Sequence, residues 1–198
     1  MQALILWDAR LLPKEQRDTT DPPVGNEVKR VDEFTDLASA IFWIGWKADQ
    51  YAKNVSLIIM AHGQDTLKRI EAGQKIWSPG GSGLIFCRQG ITLTTLPMFE
   101  PIKGKVKKIE LRACAAAYIT AGFEGGAGDG NLLCYKLAQI TGAYVRASTA
   151  DQGYGWYPRG GGLLDPYPSP LHFDPWRGTV VTYAPTGAGV TDYPAGIR

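Results

Sequence analysis

Cysteine is scarce in this chain of 198 residues, which contains only Cys87, Cys114 and Cys134. The odd count, with no CxxC pair and no Cys/His cluster, argues against a disulfide framework and against a zinc site. A surplus of one charge is also missing, because 21 Lys and Arg stand against 19 Asp and Glu. The sequence therefore gives no reason to expect a nucleic-acid or anionic-membrane partner, and we expect no metal and no cofactor.

Long hydrophobic runs are absent as well, since no apolar run approaches the about 18 residues of a membrane-spanning helix. The short apolar stretch Ala3–Trp7 ends at Asp8 and has no basic residues before it. It is typical of a first β-strand rather than a signal peptide. We therefore expect a cytoplasmic protein.

Apolar and polar segments alternate along the chain in a way that favours a single α/β domain over residues 1–198. Hydrophobic residues make up 44% of the chain, enough for a core. Strands that alternate with helices predict a mostly parallel central sheet flanked by helices on both faces. The predicted strands are 2–7, 55–60, 106–111 and 143–147, with helices at 33–53, 95–103 and 131–141, a hairpin at 84–93, and loops at 9–31 and 64–83.

The segment 153–198 has a different composition, with nine Gly and seven Pro but also eight aromatic residues. Disordered tails contain few aromatic residues. We therefore expect this segment to wrap the domain in irregular structure, with one further strand at 179–183.

Two reactive side chains directly follow predicted strands. His62 comes after the strand 55–60, and Cys114 comes after the strand 106–111. In open parallel sheets the carboxyl ends of the strands face the functional crevice, so adjacent strands would bring both side chains to one rim. An imidazole near a thiol favours the nucleophilic thiolate. Gly63 lets the backbone approach a substrate closely, so its N–H could stabilise an oxyanion.

The segments Ile58–Gly63 and Ile109–Cys114 together resemble the signature of the caspase/clostripain group of cysteine peptidases. That group includes caspases, legumains, gingipains, separases and the bacterial CHAT peptidases. The resemblance covers about residues 33–150 and implies a three-layer caspase-like fold. It also implies peptide-bond hydrolysis through an acyl-enzyme, with Cys114 as nucleophile, His62 as general acid/base and Gly63 in the oxyanion hole.

Three charged residues are candidates for substrate binding, and they point to opposite specificities. Arg112, two residues before the nucleophile, lies where caspases line the pocket for the residue before the cut, and it would favour an acidic side chain there. Arg10 could add to this. Asp8 or Asp151 could instead bind an Arg or Lys side chain of the substrate, as acidic pockets do in gingipain- and clostripain-like members. An internal ion pair is the alternative for Arg112.

Other interpretations stay open. The chain could be a catalytically silent or latent caspase-like binding or scaffold module, or a thiol-dependent acyltransferase. The Gly-rich stretch 122–130 favours an active-site loop over a phosphate site, because it lacks the Lys-Ser/Thr pair of a P-loop.

His172 is the only other histidine, and it could be a surface residue or take the place of His62 as the partner of a cysteine thiol. The expected partner is a protein or peptide substrate, and a regulatory protein is the second candidate partner.

Overall fold

The fold is a layered α/β structure. The computed structural model describes residues 1–14, 17, 23, 27–156, 171–186 and 189–190. Two α-helices are present in this part, α1 (Leu37–Gln50) and α2 (Gly130–Thr141), together with 3-10 helices at Ala9–Leu11 and Leu96–Ile102. The strands are β1 (Gln2–Asp8), β2 (Glu27–Val31), β3 (Val55–Met60), β4 (His62–Glu71), β5 (Gln74–Ile85), β6 (Val106–Arg112), β7 (Tyr144–Ser148), β8 (Tyr154–Trp156), β9 (Leu171–Phe173), β10 (Val180–Tyr183) and β11 (Gly189–Val190).

Seven of these strands form one mostly parallel sheet in the order β11-β10-β7-β6-β3-β1-β2. Strands β2, β1, β3, β6 and β7 run parallel, while β10 is antiparallel to β7 and β11 is antiparallel to β10. The strands β1 and β3 are buried on both faces, which explains their nearly continuous apolar sequence. The predicted α/β class with a mostly parallel sheet is confirmed.

The two faces of the sheet are covered differently. Both α-helices and the 3-10 helix Leu96–Ile102 pack with one face in the larger core. On the opposite face, Ile5, Trp7 and Met60 lie beneath the 3-10 helix Ala9–Leu11 and Leu171 of β9. In the described part of the chain, this second layer therefore consists of a 3-10 helix and a β-ribbon.

The ends of both helices follow from capping side chains. α1 begins later than predicted because Asp36 accepts a hydrogen bond from the Ala38 N–H at 2.8 Å, whereas Asp32 closes the preceding turn. Asp129 caps α2 by accepting a hydrogen bond from the Leu132 N–H at 2.9 Å. Gly142 directly follows α2, in the left-handed conformation that favours glycine.

Two of the predicted loops contain strands. β2 lies within 9–31 as a charged strand at the edge of the sheet. The segment 64–83 belongs to a long ribbon of β4 and β5, whose turn lies at Ala72 and Gly73, both with positive φ. The predicted hairpin at 84–93 is reduced to one bridge between Leu84 and Ile91.

The C-terminal segment contains more regular structure than expected. β10 confirms the strand predicted at 179–183, and β8 pairs with β9 in a separate antiparallel ribbon. The rest of the predicted wrapping segment, at 157–170, 187–188 and 191–198, lies outside the described residues. In the part of the chain that is described, no helix has the length and apolar character needed to cross a membrane.

Candidate active site

His62 and Cys114 occupy matching positions at the ends of two neighbouring strands. β3 and β6 pair in parallel, with Met60 opposite Arg112, and each candidate residue lies two positions further along its chain. The pairing continues past the strand end, because the Ala61 N–H donates to the Arg112 carbonyl at 3.3 Å. The two strands are therefore neighbours, and His62 and Cys114 follow them at the same rim of the sheet.

Gly63 packs directly against the backbone of Cys114. A Cβ built on Gly63 would lie 1.9 Å from the Cys114 carbonyl oxygen, so no other residue fits without a backbone shift. Burial raises the pKa of the Cys114 thiol, and the nearby carboxylates of Asp151 and Asp65 raise it further. Backbone hydrogen bonds from Gln152 and Gly63 oppose this rise. The thiol therefore needs a base to become a nucleophile at neutral pH.

The turn after Cys114 is sharp and held from two sides. Ala115 has a φ of 46°, a conformation that costs energy for a residue with a Cβ. The Ala115 N–H donates to the Ala150 carbonyl at 2.9 Å, and the Ala115 carbonyl accepts from the Gly81 N–H at 3.2 Å. The β4–β5 ribbon and the segment after β7 thus fix the direction in which the Cys114 side chain points.

The imidazole of His62 is oriented by a backbone carbonyl. Its Nε2 lies 2.9 Å from the Arg10 carbonyl oxygen, which can only accept a hydrogen bond. Nε2 therefore carries the proton in the neutral ring, and Nδ1 keeps the free electron pair that a general base needs. The Tyr154 hydroxyl lies 3.4 Å from each ring nitrogen.

The Asp8 carboxylate holds Arg10, whose carbonyl contacts His62, by accepting a hydrogen bond from the Arg10 backbone N–H at 3.0 Å. Asp8 therefore does not take the substrate-binding role expected from the sequence. The Asp8 carboxylate is buried and binds the Arg10 guanidinium through two hydrogen bonds, at 2.7 and 2.6 Å. It also accepts from the Cys87 N–H at 3.1 Å. Because its oxygens face protein donors, Asp8 is unsuited to receive a substrate cation, and Arg10 is equally occupied.

The Arg112 guanidinium is also paired with other groups of the protein. Its Nε and Nη2 donate to Glu110 Oε2 at 3.0 and 2.8 Å, and its guanidinium lies 3.9 Å from the ring centre of Trp176. This is the internal ion pair that was the alternative for Arg112. The contact with Glu110 neutralises the charge that would have attracted an acidic substrate side chain.

Asp151 remains open to solvent beside the nucleophile. The residues on either side of Asp151 hold it near Cys114. The Ala150 carbonyl accepts a hydrogen bond from the Ala115 N–H, and the Gln152 carbonyl lies 3.5 Å from Cys114 Sγ. Asp65 is exposed as well and accepts a hydrogen bond from the Gly80 N–H. Among the described residues, neither carboxylate forms an ion pair with a Lys, Arg or His.

Three residues at this rim were missed by sequence reasoning: Gln152, Tyr154 and Trp176. They lie in the segment 153–198 or directly before it. The aromatic content of that segment was the only sequence signal that the segment packs on the domain.

His172 lies in β9, but its side chain is outside the described part. The Gly-rich stretch is no phosphate site, because Asp129 caps α2 and also accepts from the Gly125 N–H at 2.8 Å.

No protein-family model matches the chain, nor does any curated protein or solved structure. The fold class is therefore established by the strand order itself. Within the described ranges, no group of three His, Cys, Asp or Glu side chains is arranged to hold a metal ion. The site thus places His62 and Cys114 after the carboxyl ends of two neighbouring parallel strands.

Proposed function

We propose that this protein is a cysteine peptidase in which Cys114 is the nucleophile and His62 the general base. The observation that carries this proposal is the parallel register of β3 and β6, which puts both residues at equivalent positions on adjacent strands. The resemblance of the two strand-end motifs to the caspase/clostripain peptidases supports the same assignment.

The proposed reaction uses groups already described. His62 Nδ1 takes the proton from Cys114 Sγ, and the thiolate attacks the substrate carbonyl carbon to form a C–S bond. The Gly63 N–H stabilises the resulting oxyanion. The C–N bond then breaks, the amine leaves with the proton from His62, and water hydrolyses the acyl-enzyme to return the free thiol.

The charges around the nucleophile favour a cationic residue before the scissile bond. Arg112 is neutralised by Glu110, while Asp151 and Asp65 are exposed near Cys114. A substrate Arg or Lys would gain a charge-assisted contact with Asp151, whereas an acidic side chain would be repelled. Of the two specificities that the sequence leaves open, the structure therefore favours the basic one.

Peptidyl acyloxymethyl ketones, which alkylate activated cysteine nucleophiles, test the function and the specificity together. Probes that end in Arg, Asp or Leu would be incubated with the protein, and the modified residue identified by peptide mass spectrometry. We expect the Arg probe to label Cys114 fastest, and Cys87 and Cys134 not at all, because both other thiols are buried. Loss of the carboxylate in Asp151→Asn should slow the Arg probe by about tenfold and the Leu probe little.

Asp49→Asn is the matched control, because Asp49 is a partly exposed carboxylate paired with Lys105 on the helical side of the sheet. It should leave all three labelling rates unchanged. Equal labelling of Cys114 by all probes would refute the basic specificity but not the peptidase. Labelling of Cys114 that is no faster than that of a free thiol, and that is unchanged in His62→Ala, would refute the peptidase.

A latent enzyme or scaffold is the second candidate, and one observation favours it. The protein's own segment after β7 lies in the site, with the Gln152 carbonyl at 3.5 Å from the Cys114 sulfur. If the segment never moves, the dyad stays unused and the protein acts by binding alone. Substrate turnover by the unprocessed protein separates this candidate from an active peptidase.

A further inference from the structure

We propose that the outer part of the β4–β5 ribbon is a second binding site for the substrate, which takes an apolar and acidic stretch of the polypeptide a few residues away from the scissile bond. This inference rests on the proposed peptidase function and deepens it, because it names a class of substrate. That substrate has Arg or Lys at the cut and an apolar, acidic segment nearby. The site, here named the ribbon patch, consists of Leu67, Ile70, Lys75 and Trp77.

The register of the ribbon places these four residues on one face. Leu67 lies opposite Trp77, and Ile70 lies opposite Lys75. Lys75 and Trp77 are two positions apart on β5, so their side chains extend from the same face of the pleated ribbon. Three large apolar side chains and one cation are therefore neighbours on the outer part of the ribbon.

The ribbon patch does not serve the core of the protein. Leu67, Ile70 and Trp77 are 37%, 65% and 52% exposed, and none of them belongs to a hydrophobic cluster of the described residues. Thr66 and Ser78, which pair one position earlier along the ribbon, are buried on the opposite face. The protein therefore packs against the root of the ribbon through that other face. A contiguous apolar patch left exposed in this way is typical of a binding surface.

The charges at the ribbon patch match an acidic partner. Arg69 is paired with Glu71 at 3.1 Å, whereas Lys68 and Lys75 are exposed and form no ion pair with any described residue. An apolar surface flanked by two uncompensated cations favours a segment that presents apolar side chains and carboxylates. A segment with basic residues in those places would be repelled.

The ribbon also connects this patch to the candidate active site. β4 begins at His62, the proposed base. Burial is the main cause of the raised pKa of the Cys114 thiol, and the Asp65 carboxylate contributes to it. Asp65 is two positions before Leu67 and five before Ile70, so at about 3.3 Å per residue the patch extends from roughly 7 to roughly 17 Å beyond Asp65. An extended substrate cut at Cys114 would reach it with residues about three to six positions from the scissile bond.

Two synthetic peptides test the ribbon patch. The first has a single Arg at its centre and, about four to six positions away on each side, one Leu, one Trp and one Asp. The second has Asn in place of both Asp residues. Fluorescence anisotropy of the labelled peptides measures binding to Cys114→Ala, which lacks the proposed nucleophile. We expect the Asp peptide to bind about three to ten times more tightly than the Asn peptide, because only its carboxylates can pair with Lys68 and Lys75.

Removal of the aromatic side chain from the patch should weaken this binding. In the Cys114→Ala background, Trp77→Ser should raise the Kd of the Asp peptide by about tenfold, since tryptophans often dominate the energy of an interface. Trp46→Ser is the matched control, because Trp46 is a 49% exposed tryptophan on α1, outside the ribbon, and its loss should leave the Kd unchanged. With Cys114 intact, Trp77→Ser should also lower the ratio of kcat/KM for the Asp peptide to kcat/KM for an Arg tripeptide amide, by about tenfold.

Other occupants of the ribbon patch would overturn the proposal. Equal binding of the two peptides, or binding that is unchanged in Trp77→Ser, would show that the patch does not hold a substrate. Sedimentation velocity that detects a dimer, dissociated by Trp77→Ser, would assign the patch to a second copy of the chain. Binding to phosphatidylserine vesicles that depends on Trp77, without preference for the Asp peptide, would assign it to a membrane surface.

Failure of the second site is separable from failure of the proposed function. A wild-type protein that cuts the Asp and Asn peptides with equal kcat/KM is a peptidase without this site. A Cys114→Ala protein that prefers the Asp peptide through Trp77, while the wild type leaves that peptide uncut, supports the ribbon patch as a peptide-binding site and refutes the peptidase.

Discussion

Replacement of Cys114 by alanine is expected to lower peptide hydrolysis by at least about a thousandfold, with no loss of folded protein. Removing a covalent nucleophile abolishes the acyl-enzyme route, and losses of this size are typical for residues that act as one catalytic unit. The side chain of Cys114 contributes little to the core, since it is partly exposed at the rim. Loss of the general base in His62→Ala should cost about a hundredfold to ten-thousandfold.

The matched control for Cys114→Ala is Cys134→Ala, which removes a buried thiol on α2. That change should lower the free energy of unfolding by about 1 kcal/mol through the small cavity it leaves, with hydrolysis unchanged. Activity would be measured as initial rates on a peptide substrate, beside urea unfolding of each variant. Wild-type hydrolysis by Cys114→Ala would contradict the assignment of the nucleophile.

Gly63→Ala is expected to lose both stability and activity. The new Cβ would lie 1.9 Å from the Cys114 carbonyl oxygen and 2.9 Å from its carbon, so one backbone segment must move. We expect the free energy of unfolding to fall by about 2–4 kcal/mol. The same movement displaces the Gly63 N–H from the sulfur, so hydrolysis by the remaining folded protein should fall by about a hundredfold or more.

Gly126→Ala provides the comparison, because the nearest atom to its added Cβ, the Phe123 carbonyl oxygen, lies 3.8 Å away. This variant should have the urea midpoint and the activity of the wild type. Should Gly63→Ala prove as stable and as active as Gly126→Ala, the close approach of Gly63 to Cys114 would not be a feature of the working site.

The two strands that precede the dyad could be predicted from their buried apolar residues. β3 is a nearly continuous apolar run, whereas β6 has Val106, Ile109 and Leu111 buried among charged residues. The residues that follow both segments could therefore be interpreted as lying at strand ends. β2 and the β4–β5 ribbon gave no such signal. Charged residues suit β2 at the sheet edge, where they oppose unwanted pairing, and the ribbon contains glycines that are also typical of loops.

The charged residues of the site could not be assigned from sequence, because their roles depend on partners brought together by the fold. Asp8 and Arg112 look alike as candidates at strand ends, yet Asp8 binds Arg10 and Arg112 binds Glu110. Tyr154 lies 92 residues after His62, and no local pattern joins the two. Composition indicated only that the aromatic segment after residue 153 packs on the domain.

The most direct test of the dyad is to look for the acyl-enzyme itself. A peptide ester with Arg at its carboxyl end would be mixed with excess protein, quenched in acid after milliseconds to seconds, and analysed by peptide mass spectrometry. The account predicts an adduct of the acyl group on the peptide that contains Cys114, formed in a burst and then lost by hydrolysis, with a slower burst in His62→Ala. Turnover of the ester with no adduct on Cys114, or an adduct whose rate is unchanged without His62, would contradict it.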